Sequence, residues 1–115
     1  MFDTKKSEEE LMKLFQKIKD KTIIVEGKRD KQVLYSFGFT NVHTIDKGLY
    51  ELSEKFEKKE IIILTDFDKE GKEISKKLSL FLQIRNKIDR QTRRKVGLLL
   101  SKLNIKTIEE LKSLR

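Results

Sequence analysis

Three short runs of apolar, mostly β-branched residues constrain the fold of this chain more than any other feature. They are TIIV at 22–25, VHTI at 42–45 and IIILT at 61–65. Near-continuous apolar runs of this kind are typical of strands that are buried on both faces of a parallel sheet. The segments between them have 16 and 15 residues (26–41 and 46–60), which is long enough for the helical crossovers that parallel strands require.

Helical periodicity supports this interpretation. Apolar residues recur at helical spacing in both crossovers and after the third run, at Val33, Leu34 and Phe37, at Leu49, Leu52 and Phe56, and at Ile74, Leu78 and Phe81. The pattern predicts a small Rossmann-like α/β fold, with a parallel sheet of three to four strands between helices and extra helices at both termini. Right-handed crossovers place the first strand in the middle, between the second and the third.

The length of 115 residues fits one compact domain. We expect an N-terminal helix at 7–20, an α/β core at 22–84 and a basic C-terminal helical arm at 85–115. The start of this arm shows no clear strand and is predicted to be helix or turn. The chain has no cysteine, no apolar run near the roughly 20 residues of a membrane span and no apolar signal segment, which favours a soluble cytoplasmic protein.

The excess of positive charge lies entirely in the C-terminal part of the chain. Residues 1–68 carry a net charge of −1 and residues 69–115 a net charge of +9. The basic residues Arg85, Arg90, Arg93, Arg94 and Lys95 lie close together. Such clustering favours a phosphate-bearing partner, RNA or DNA, contacted through its backbone, because no aromatic residue is interleaved for base stacking. The alternative is a solvated or ion-paired helix face.

Carboxylates follow two neighbouring strands of the predicted sheet. Glu26 comes after the first run, and Asp66 and Asp68 come after the third. Ligands of open α/β sheets bind at this edge, where the chain crosses from one side of the first strand to the other. Alternate residues of an extended segment point the same way, so Asp66 and Asp68 can face one site. Converging carboxylates repel one another unless a cation lies between them, which predicts Mg²⁺ or Mn²⁺.

The two acidic motifs resemble those of a known family. A Glu-Gly pair after the first strand and Asp-x-Asp-x-x-Gly after the third resemble the Toprim domain of topoisomerases, bacterial-type primases, certain nucleases and the maturase of 5S ribosomal RNA. Within this family, the chain resembles the small stand-alone Toprim proteins of archaea. The resemblance covers about residues 22–84 and is carried by Glu26, Gly27, Asp30, Gly48, Asp66, Asp68 and Gly71.

The resemblance implies roles for these residues. Glu26 would be the general acid or base at a phosphodiester, and Asp66 and Asp68, together with Glu26, would hold Mg²⁺. Asp30 would orient the site or a second metal, Lys28 or Arg29 would meet a phosphate, and the glycines would be structural.

The implied function is Mg²⁺-dependent chemistry at the phosphodiesters of nucleic acid. The chain is too short for topoisomerase or primase machinery, so the resemblance favours a nuclease or RNA-processing activity, alone, as a homodimer or with a protein partner. A non-catalytic nucleic-acid or ribonucleoprotein binding module on the same fold remains the alternative.

Three other interpretations of the acidic motif are weaker. An EF-hand loop would place Lys77 where a bidentate Glu is required. A haloacid-dehalogenase-type phosphatase normally carries Asp-x-Asp on its first strand. The third possibility is that the acids only cap helix starts, where the helix dipole favours negative charge.

Overall fold

The computed structural model describes residues 4–46 and 48–114, except for the side chains of Leu49 and Tyr50. Helices and strands alternate along most of this part of the chain. In order, the elements are α1 (Thr4–Ile18), β1 (Thr22–Val25), α2 (Lys28–Ser36), β2 (Val42–Thr44), α3 (Leu49–Lys55), β3 (Glu60–Ile63), α4 (Lys69–Leu82), β4 (Lys87–Ile88), α5 (Arg90–Lys102) and a 3₁₀ helix (Glu109–Leu114). The predicted α/β fold is confirmed.

The strands form one parallel sheet in the order β2-β1-β3-β4. As predicted, β1 lies between β2 and β3. Ile24 of β1 pairs with Ile63 of β3, so the two strands end at the same edge of the sheet. The residues that follow them, Glu26 and Asp66 among them, therefore emerge side by side.

The fourth strand lies inside the segment that the sequence predicted to be helix or turn. β4 has two residues, of which Ile88 is buried and Lys87 is exposed. A strand this short has no alternation that a sequence pattern can reveal. Its pairing reaches only to Ile61 of β3, so the later part of β3 extends beyond the end of β4.

Helices cover both faces of the sheet. On one face, α1, α2, α5 and the 3₁₀ helix pack against Ile23, Val25, Ile62 and Leu64. On the other face, α3 and α4 pack against strand residues that alternate with these, including Ile24 and Ile63. Because successive strand residues point to opposite faces, burial on both sides accounts for the continuous apolar runs.

The helices agree with the sequence predictions except in detail. The N-terminal helix begins at Thr4, three residues before the predicted start. Phe81 is 49% exposed, and Leu82 takes the predicted place in the core instead. Leu49 was also predicted to pack in the core, but its side chain is not among those that the structure describes. Within the described residues, no helix is long and apolar enough to cross a membrane.

Candidate metal and nucleic-acid site

Glu26 joins the ends of the two central strands. It follows β1, and its Oε2 accepts a hydrogen bond of 2.7 Å from the backbone N–H of Asp66, which follows β3. The structure therefore brings together these two acids, which are 40 residues apart in the chain.

Asp66 is the most perturbed acid of this edge. Its Oδ1 accepts a hydrogen bond of 2.8 Å from the backbone N–H of Ile108, in the segment before the 3₁₀ helix. Burial raises the pKa of Asp66 to about 6, the hydrogen bond from Ile108 opposes that rise, and repulsion from Glu26 and Asp68 adds to it. Both Glu26 and Asp68 therefore lie close enough to act on the charge of Asp66.

Asp68 and Asp30 also serve as helix caps. Asp68 precedes α4, and its Oδ1 accepts a hydrogen bond of 2.8 Å from Gly71 N–H. Asp30 lies in the first turn of α2, and its Oδ2 accepts a hydrogen bond of 3.2 Å from Gly27 N–H. Burial raises the pKa of Asp30, and repulsion from Asp66 raises it further. The hydrogen bonds at the helix starts thus occupy one carboxylate oxygen of Asp68 and one of Asp30. The charge of Asp66 still acts on Asp30.

The structure gives different reasons for the presence of glycine at the three motif positions. A Cβ on Gly71 would lie 2.1 Å from the carbonyl oxygen of Asp66, so only glycine fits this close approach of helix to strand end. Gly48 has a φ of +99°, a conformation that favours glycine. Gly27 is extended, and a Cβ on it would have no neighbouring atom within 4 Å. The geometry of the chain itself therefore gives no reason for a glycine at 27.

Arg93 has a role that sequence reasoning missed. Its Nη1 donates to the carbonyl oxygens of Ile63 (3.0 Å) and Thr65 (2.9 Å), and its Nη2 donates to that of Asp66 (3.1 Å). Its guanidinium also lies 4.2 Å from the ring centre of Phe67. Arg93 thus caps the part of the β3 edge that extends beyond β4.

Arg93 also places a positive charge near the acids. Burial lowers the pKa of its guanidinium to about 10, while attraction to Glu26 and Asp66 opposes the shift. The guanidinium therefore stays charged at neutral pH. The role of Arg93 at the strand end depends on where the unpaired carbonyl groups of β3 lie in three dimensions. No local pattern in the sequence indicates it.

The other predicted basic residues do not form one surface. Arg85 pairs with Glu54 at 3.8 Å, and Arg29 pairs with Glu109 at 3.9 Å. Lys95 faces a depression between α5 and α1. Lys28, at the first position of α2, is exposed beside the acidic edge.

Arg90 and Arg94 instead line a groove between α4 and α5, and Arg93 lies in the same groove. The predicted arm is therefore divided among several surfaces, and its central arginines belong to this groove.

The acidic edge fits a divalent metal that completes its coordination with water. Among residues 4–46 and 48–114, no group of three or more Asp, Glu or His side chains is placed to hold a metal by itself. However, converging carboxylates repel one another unless a proton or a cation lies between them, and repulsion from Glu26 and Asp68 acts on Asp66. Mg²⁺ accepts one or two carboxylates plus waters, so the oxygen donors of this edge suit it.

The chain is similar to known proteins over most of its length. The family model of the Toprim domain matches residues 21–98. A UPF0292 protein of Pyrococcus abyssi is 37% identical over 113 residues, covering 89% of this chain and 84% of its own. One from Pyrococcus horikoshii is 38% identical over 97 residues, covering 80% of this chain and 72% of its own. A solved structure of a protein from Aquifex aeolicus superposes with a TM-score of 0.73 and 31% identity, covering 89% of this chain and 95% of that one.

Proposed function

The chain belongs to the Toprim domain family, and from that premise we propose that it is a Mg²⁺-dependent enzyme acting on phosphodiesters of nucleic acid, as a nuclease or RNA-processing activity. Membership supports the coarser part of this proposal, a metal-dependent function connected with nucleic acid. The observation that carries the finer part is the hydrogen bond from Asp66 N–H to Glu26, which brings the two carboxylates close enough to repel each other, with Asp68 close enough to repel Asp66.

The acids divide into two roles. Asp66 and Asp68 would hold the metal, each with one oxygen bound to a backbone N–H and the other left for coordination. When bound, Mg²⁺ supplies Lewis acidity and neutralises charge at a phosphoryl oxygen. Glu26 would move the proton. Its Oε2 is held by Asp66 N–H, so its other oxygen is oriented for general acid or base work at the attacking or leaving oxygen.

Positive charge beside the acids supports a nucleic-acid substrate. Arg93 lies close enough to Glu26 and Asp66 for attraction to shift its pKa, and Arg90 and Arg94 line the groove that contains it. Clustered Lys and Arg release counterions from a phosphate backbone, which gives affinity without sequence preference. Lys28 and Arg29, at the start of α2, are exposed near the same edge and would approach a phosphate of the strand.

A cleavage assay tests the proposal. Labelled single-stranded and structured RNA and DNA are incubated with the wild type, Glu26→Gln and the control Glu9→Gln, in Mg²⁺, Mn²⁺ or EDTA. The amide oxygen introduced by Glu26→Gln can still accept the hydrogen bond from Asp66, so the fold is kept, and Glu9 is an exposed acid of α1. We expect metal-dependent cutting by the wild type and Glu9→Gln, and binding without cutting by Glu26→Gln.

The alternative function gives a different result. If the wild type binds nucleic acid but cuts none of these substrates with either metal, and Glu26→Gln binds equally well, the chain is a non-catalytic binding module. The hydrogen bonds that tie Glu26, Asp66 and Asp68 to the backbone would then serve the fold alone.

A further inference from the structure

The groove between α4 and α5 is wide because small residues face it from both helices. Ser75 and Ser79 line it from α4, and Gly97 and Ser101 line it from α5. The resulting cavity has a volume of about 760 Å³, within the range of pockets that bury a ligand. The short β4 contributes to this space, since its pairing ends at Ile61 and leaves the later part of β3 to be covered by a side chain.

The charge of the groove has one sign. Its lining includes six basic side chains and no acidic one: Lys72, Lys76, Arg90, Arg93, Arg94 and Lys106. None of the ion pairs found between described residues involves any of these six. No acid lies at salt-bridge distance from these six within the described chain, so an anionic ligand would gain from their charge. The gain is smallest at Arg93, which already attracts Glu26 and Asp66, and at Lys106, which already attracts Glu110.

The groove reaches the acidic edge. Phe67, which stands between the two aspartates, is part of its lining, and its N–H donates to the carbonyl oxygen of Lys106 at 2.6 Å. From Lys72 to Leu80, α4 borders the groove over about 12 Å at 1.5 Å per residue.

We infer that this groove binds a single-stranded segment of nucleic acid and leads it to the acidic edge. The inference rests on the proposed function and specifies the path of its substrate. The phosphates lie against the basic side chains of α4 and α5. The apolar part of the lining, which includes Phe67 and Leu80, provides the surface that sugars and bases contact in grooves for single strands.

The floor of the groove supplies the aromatic residue that the basic segment lacks. Phe67 is brought there from the acidic motif, with Arg93 stacked 4.2 Å from its ring centre. Gly97 makes room for it, because a Cβ on Gly97 would lie 2.8 Å from the ring. A stacked Arg–Phe pair is the kind of platform on which bases rest without sequence preference.

A single strand fits this groove better than a duplex or an acidic protein segment. A cavity of this volume between two helices admits one chain, whereas the outside of a duplex would meet only the rim. An acidic peptide would match the charge but has no flat bases for the Phe67 floor. These two ligands therefore serve as comparison probes.

Binding measurements without metal test the inference separately from catalysis. Fluorescence anisotropy follows a labelled, unstructured oligonucleotide in EDTA at several salt concentrations. The variant Lys76→Gln/Arg94→Gln neutralises two exposed residues of the groove, and Lys13→Gln/Lys17→Gln removes the same charge from the exposed face of α1. Circular dichroism verifies that both variants fold. A duplex and polyglutamate are titrated in parallel.

The groove variant should lose at least about tenfold in affinity at low salt, and its slope of log K against log salt should fall by about 1.4, or about 0.7 for each lost phosphate contact. The α1 variant should stay within about threefold of the wild type. Equal losses in both variants, or tighter binding of duplex or polyglutamate, would overturn the inference. If binding depends on the groove but nothing is cleaved, the groove proposal stands and the proposed enzyme activity is rejected. If nucleic acid is cleaved but binding does not depend on the groove, the enzyme proposal stands and the groove proposal is rejected.

Discussion

Replacing Asp66 by Asn should stabilise the metal-free protein, although it removes a residue that we place in the metal site. Burial, followed by repulsion from Glu26 and Asp68, raises the pKa of Asp66 from 3.8 to about 6. The folded state therefore binds the proton more tightly than the unfolded state does. Stability falls as the pH rises through the window from about 4 to 6, and the whole penalty is present above it.

The size of the penalty follows from the shift. At about 1.36 kcal/mol per pKa unit, the full shift corresponds to about 3 kcal/mol. Asp66 is only about half buried, so solvent screening reduces this to about 1 kcal/mol. In Asp66→Asn, the side-chain oxygen can still accept the hydrogen bond from Ile108, and the amide can donate to Glu26. We therefore expect the variant to be more stable by about 1 kcal/mol, or about 4 °C in Tm, at pH 8 in EDTA.

Bound metal should make the wild type more stable than Asp66→Asn. A ligand at about ten times its Kd stabilises the folded state by about 1.4 kcal/mol, so Mg²⁺ should raise the stability of the wild type and leave Asp66→Asn unchanged. Urea unfolding with and without Mg²⁺ measures both effects. Asp89→Asn serves as the control, because Asp89 caps α5 through Thr92, away from the acidic edge. It should gain no stability and keep the metal response. A less stable Asp66→Asn at pH 8 in EDTA would refute the repulsion argument.

Three further substitutions test the packing of the site by urea unfolding. Gly71→Ala should lower the free energy of unfolding by about 3 kcal/mol. Its Cβ would lie 2.1 Å from the carbonyl oxygen of Asp66, and this backbone atom cannot move away as a flexible side chain could. Gly97→Ala should change stability by less than about 1 kcal/mol, since the Phe67 ring can shift and alanine favours the helix; a cost equal to that of Gly71→Ala would contradict this contrast. Arg93→Met should cost about 3 kcal/mol by leaving three strand-end carbonyls without their donor, and an unchanged free energy of unfolding would show that those bonds are replaceable.

The parts of the fold that the sequence predicted are those with a strong local pattern. Strands β1 and β3 are buried on both faces, so nearly every residue is apolar and the runs stand out. Asp66 and Asp68 could be predicted at the sheet edge because an acidic pair directly follows such a run. By contrast, β4 contributes one buried side chain, Ile88, and leaves no pattern to read.

The parts that could not be predicted depend on contacts between distant segments. The hydrogen bond to Asp66 comes from the backbone of Ile108, and a backbone amide has no signature in sequence. Arg93 is one of three consecutive basic residues, and only its neighbours in the fold separate it from Arg94 and Lys95. The groove likewise combines α4, α5 and Phe67, which are adjacent only once the sheet has formed.

Paramagnetic broadening by Mn²⁺ tests the central claim most directly. Heteronuclear NMR spectra of the wild type and of Asp66→Asn/Asp68→Asn are recorded during titration with Mn²⁺, and Mg²⁺ is then added in competition. The account predicts that the amide signals of Glu26 and of residues 66–68 broaden first in the wild type, recover with Mg²⁺, and do not broaden in the double variant. Broadening centred elsewhere, or equal broadening in both proteins, would contradict the claim that this acidic edge is a metal site.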